Sequence, residues 1–103
     1  MTKAHYKSVF LDKVKTFIKN LREGEQGKIA AQVQMMCDGE FGLVYIRPIR
    51  SPIKELIVDK YRFLFFMEKQ FIYFVHAFIK KTQKTPIREI EYAERVYKKL
   101  TQK

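Results

Sequence analysis

The chain has 103 residues, room for a single domain spanning 1–103 and not for two. Hydrophobic residues make up 47% of it, enough to build a core without disulfide support, and the lone cysteine, Cys37, excludes an internal disulfide, a thiolate metal cluster and a redox pair. Lys and Arg number 21 against 11 Asp and Glu, a net charge of +10; beyond solubility, such an excess attracts polyanions, whether nucleic acid, ribosome, acidic protein or anionic membrane.

Taken in chain order, residues 6–22 read as an amphipathic helix, with Phe10, Val14, Phe17, Ile18 and Leu21 on one stripe and the lysines mostly outside it. A break is expected at Glu23-Gly24-Glu25-Gln26-Gly27. A second helix then runs to about Asp38, burying Ile29, Val33, Met36 and Cys37, and Gly39 and Gly42 end it. Leu43–Ile49 and Ile53–Asp59 are β-compatible, with Pro48 and Pro52 marking a bend or an edge.

Tyr61–Met67 and Phe71–Ile79 are two strong strands joined by Glu68-Lys69-Gln70. Both are apolar on two faces, so helices or a partner should cover much of the sheet. A last helix is expected from Pro86 towards Leu100, with Thr85 as N-cap and Glu91–Arg95 and Glu94–Lys98 as i,i+4 pairs. This order predicts an α+β fold: a helical hairpin on an antiparallel sheet of about four strands, helices on one side, and a C-terminal helix. The apolar stretch from Tyr61 to Ile79 is too interrupted to span a membrane, and Met1 to Lys7 lack the marks of a secretory signal. The expected compartment is the cytoplasm.

Residues 76–86, His-Ala-Phe-Ile-Lys-Lys-Thr-Gln-Lys-Thr-Pro, carry the chemistry. A strand delivers a histidine and then three lysines before a helix N-terminus, itself an anion site. Lys54, Lys80, Lys81, Gln83 and Lys84 are the candidate RNA- and phosphate-binding residues, with Thr82 and Thr85 as further hydrogen-bond donors to phosphate; the bland alternative is a solvated basic loop. With a three-residue hairpin loop, Arg62 faces His76 on one side of the sheet, whereas a two-residue loop puts them on opposite sides. An arginine clamping a phosphate beside an imidazole suits phosphodiester chemistry. Arg62 as a structural salt-bridge residue and His76 as a packed strand residue are the competing readings. Two isolated histidines make no metal site, and no cofactor motif occurs.

The run from His76 to Pro86, followed by Arg88-Glu89-Ile90-Glu91 and Ala93, resembles the C-terminal signature of phage-derived RelE/HigB-type toxins of type II toxin–antitoxin systems, and Tyr61-Arg62 resembles the family's tyrosine–arginine strand. The resemblance implies a RelE-like fold, ribosome-dependent endonucleolytic cleavage of mRNA without a metal, and neutralisation by a cognate helix-turn-helix antitoxin in a hetero-oligomer. The RNA's own 2′-hydroxyl would be the nucleophile. Arg62 would stabilise the phosphorane, His76 would transfer a proton, and Lys80, Lys81 and Lys84 would bind RNA backbone. The family often has Glu-Leu-Arg where this chain has Glu55-Leu56-Ile57, so a cation is missing unless Arg47, Arg50 or Lys54 replaces it. The alternatives are a non-catalytic RNA- or ribosome-binding protein and a phage interaction protein.

Overall fold

A computed structural model describes residues 5–102; the first four residues, included above in the reading of the N-terminus, lie outside them. The elements are β1 (Lys7–Phe10), α1 (Asp12–Lys19), α2 (Glu23–Cys37), a 3₁₀ turn (Phe41–Leu43), β2 (Tyr45–Arg50), β3 (Ile53–Val58), β4 (Tyr61–Glu68), β5 (Phe71–Ile79) and α3 (Ile87–Thr101). The five strands form one sheet in the order β1-β5-β4-β3-β2. All neighbours are antiparallel except β1, which runs parallel to β5. The fold is α+β, as expected, and compatible with the RelE-like arrangement.

The fifth strand comes from the segment whose stripe suggested one helix over residues 6–22. Lys7 to Phe10 instead pair with Phe71 to Phe74, and the helix begins only at Asp12, after an extended Leu11. Pairing with β5 gives these backbone groups ladder partners and covers part of a sheet edge, a gain that local periodicity does not register. The expected break at Glu23–Gly27 is likewise the first turn and a half of α2. There Glu23 and Glu25 favour the positive end of the helix, and Gln26 Nε2 donates to Leu21 O at 2.8 Å, sealing the chain end of α1. Gly39, at φ 80°, ends α2 as expected.

Helices cover both faces of the sheet and not one. Ile29, Val33 and Met36 of α2 and Val14 of α1 bury Leu56, Val58, Tyr61, Phe63, Phe65, Ile72 and Phe74. On the other face Ala93 of α3 closes over Ile53, Leu64, Phe66, Val75 and Phe78. Because β4 and β5 are apolar on both sides, a one-sided layer would leave Leu64 and Phe66 in water, at about 1.5–3 kcal/mol each. No helix among the described residues is long and apolar enough to cross a membrane.

The connection between β4 and β5 decides the site. Glu68 pairs with Phe71, so the loop is the two residues Lys69-Gln70, with Lys69 at φ 56°, and not the three expected. Left unbroken, that register would put His76 opposite Phe63, in the core beneath α1 and α2. A β-bulge intervenes: Phe65 pairs with Phe74 but Leu64 pairs with His76, leaving Val75 extra. Val75 and His76 therefore project to the same face, and His76 joins Arg62 on the α3 side. Arg62 faces Phe78 across the ladder, two positions from His76.

Candidate functional site

Two cross-strand rows build the site on the α3 face. One runs Tyr45, Ile57, Arg62, Phe78; the next runs Arg47, Glu55, Leu64, His76. Partners opposite one another share a face, so every side chain in these rows points to the α3 side.

Arg62 is held by the tight turn that precedes it. Asp59 takes φ 53°, a conformation Asp tolerates, and turns its carbonyl to accept from Arg62 Nη1 at 2.7 Å, with Tyr61 O at 2.9 Å. The Nε of Arg62 is buried without a hydrogen-bond partner. Burial lowers the Arg62 pKa, the Glu55 carboxylate opposes that shift, and Arg47 adds to it. Arginine remains charged throughout. The result is a half-buried cation, with Nη1 held by two backbone carbonyls and Nε left without a partner.

Glu55 is fully buried beside it. Its Oε2 accepts from the Thr85 hydroxyl at 2.7 Å, and that hydroxyl accepts from Arg47 Nη2 at 2.9 Å. Arg47 Nη2 also lies 3.0 Å from Glu55 Oε1. That second approach is Coulombic, because no N–H points at the oxygen. Thr85 was expected to cap the last helix; its side chain makes no cap bond there and serves Glu55. The 80–86 segment is thereby fastened to the sheet, with Lys80 N donating to Lys60 O at 2.9 Å at its other end.

Between these anchors lies an open hollow of about 650 Å³ lined by Asp59, Lys60, Arg62, Lys80, Lys81, Thr82 and Gln83. Burial, then Arg47 and Arg62, push the Lys80 pKa below the ordinary lysine range, against a pull from Glu55. Arg62, Lys80, Lys81 and Gln83 are thus brought together. Lys84 is exposed on the same segment, where its carbonyl accepts from Thr82 Oγ1 at 2.8 Å.

His76 and Lys54 stand apart. His76 Nε2 is 2.9 Å from Glu89 Oε1 on α3, and its ring lies 4.5 Å from that of Tyr92. Lys54 lines a different hollow on the opposite face, with Tyr6, Phe41, Val44, Ile46, Phe65 and Met67. Of the three cations considered as replacements at Ile57, Arg47 is the one electrostatically coupled to Arg62; Arg50 pairs with Glu94 at 3.2 Å. Glu55 is not among the expected site residues, and Thr85, expected as a donor to phosphate, gives its hydroxyl proton to Glu55 instead. The signal available was a carboxylate alternating with apolar residues in β3, a position that burial makes conspicuous only once the sheet is assembled.

Residues 16–98 match the model of a family described as "Phage derived protein Gp49-like (DUF891)". No curated protein matches the chain.

Proposed function

The chain belongs to the phage-derived Gp49-like family, and we propose that it is the toxin of a type II toxin–antitoxin pair, an endoribonuclease acting on ribosome-bound mRNA and neutralised by a cognate helix-turn-helix antitoxin. The family is associated with toxin–antitoxin pairs. The observation that carries the reading is the half-buried Arg62 guanidinium, held at Nη1 by backbone carbonyls and set in a hollow with Lys80, Lys81 and Gln83. Preorganised cations of this kind favour the charge that develops on a pentacoordinate phosphate.

In the proposed reaction the RNA 2′-oxygen attacks the adjacent phosphorus and loses its proton. The bond from phosphorus to the 5′-oxygen breaks, and that oxygen leaves with a proton. The products are a 2′,3′-cyclic phosphate and a free 5′-hydroxyl. Arg62 stabilises the phosphorane, Lys80 and Lys81 hold its non-bridging oxygens, and Lys84 meets the flanking backbone. His76, engaged by Glu89, positions α3 beside the hollow. That engagement also favours a second reading, RNA binding without cleavage.

Inducible expression of wild type and Arg62→Ala, with mapping of mRNA 5′ ends, separates the two. New ends in wild type that vanish in the variant support the nuclease. Equal growth inhibition by both proteins with intact mRNA refutes it.

A further inference from the structure

Tyr45 is an exception among the large side chains of the α3 face. It opens β2, the outer strand of the sheet, and is 77% exposed. Neither its ring nor its hydroxyl has a partner among the described residues. The ladders place it in one row with Ile57 and Arg62. Adjacent strands lie about 4.8 Å apart, so Tyr45 stands about 10 Å from Arg62 with half-buried Ile57 between them. The row therefore reads aromatic ring, apolar floor, cation.

We propose that Tyr45 is the stacking platform for an unpaired nucleobase next to the phosphate held at Arg62. The inference rests on the reading of the Arg62 hollow as an RNA phosphate site and adds a base subsite to it. Single-stranded nucleic acid is held by cations that follow the backbone and by aromatic faces on which bases stack. Here the two elements occur one floor residue apart on the same rigid sheet. Stacking is indifferent to base identity to first order, so Tyr45 contributes grip and placement, and sequence preference is left to neighbouring groups. A charge at residue 57 would face the ring or base that has to lie flat there, whereas Arg47 supplies positive charge one row away.

The test uses a short single-stranded RNA with non-cleavable 2′-methoxy groups and the same backbone made abasic. Tyr45→Ala weakens binding of the base-carrying oligomer about tenfold and leaves the abasic one unchanged. Arg62→Ala weakens both. The chain contains no Trp, so Tyr45→Trp introduces a single indole; it retains binding, and its fluorescence is quenched by the base-carrying oligomer alone. Should Arg62→Ala weaken binding while Tyr45→Ala does not, the base subsite is wrong and the phosphate site stands. Should wild type bind neither oligomer, both are wrong. Loss of antitoxin pairing in Tyr45→Ala with RNA binding intact would assign the ring to a protein partner and overturn the inference.

Discussion

Removing Arg47 should destabilise the fold more than removing the charge of Glu55, although Arg47 is the more exposed partner. Glu55 is at 0% exposure and the Arg47 side chain at 42%. In Arg47→Ala the carboxylate stays buried with only the Thr85 hydroxyl bonded to it. Orphaning one partner of a buried pair costs about 3–5 kcal/mol, and the solvent screening of Arg47 places this case near the lower end, about 3 kcal/mol. In a domain of this size that lowers the melting temperature by roughly 12–20 °C.

Glu55→Gln keeps an acceptor for Thr85 and releases Arg47 to water, for about 1 kcal/mol. With both changes made, no buried charge is stranded, so the double variant should resemble Glu55→Gln. The coupling is then about 3 kcal/mol in magnitude. Urea denaturation followed by far-ultraviolet circular dichroism measures all four stabilities. An Arg47→Ala cost equal to or below that of Glu55→Gln would refute the claim that the buried carboxylate depends on Arg47.

Three further outcomes are expected. His76→Ala leaves Glu89 without its imidazole partner and opens a gap beside Tyr92, so stability falls by about 1–2 kcal/mol while mRNA cleavage per folded molecule changes less than about threefold; a loss as deep as that of Arg62→Ala in 5′-end mapping would return His76 to a proton-transfer role. Because burial and two arginines ease the proton from Lys80, affinity for the 2′-methoxy oligomer should decline as pH rises through that lowered pKa. Lys80→Arg should extend binding to higher pH, and identical profiles would exclude Lys80 as a phosphate ligand. The Tyr61 hydroxyl bonded to Glu25 Oε2 holds the Glu25 carboxyl below its ordinary 4.5. Its contribution to stability is present in full above the ordinary value and disappears as pH falls through the depressed one. Tyr61→Phe should flatten that acid limb in pH-dependent melts and raise the Glu25 titration seen by NMR.

How much was legible varied from element to element. The strands β3, β4 and β5, the helix α3 and all but the first turns of α2 declare themselves through periodicity, turn residues and glycine stops, because each buries a face whose pattern is written locally. The basic run 80–84 and its place between strand and helix were equally plain, and so was the basic excess of a chain with net charge +10. Three features that make a site of these parts were decided elsewhere. β1 exists because β5 offers it an edge, and the stripe in residues 6–22 does not record that offer. The bulge at Val75 cancels the two-residue turn and returns His76 to the face of Arg62. Glu55 gathers Arg47 and Thr85 from residues 38 apart in the chain, a contact that depends on two separate strand registers and the return of the 80–86 segment.

The sequence by itself thus determined a basic α+β chain with a cationic corner. Composition and period are properties of neighbouring residues, and solvent alone enforces them. Only the tertiary structure decided which cations share the hollow and which histidine nitrogen is already taken. Register, bulges and long-range ion pairs are settled jointly by segments that meet only when the sheet closes.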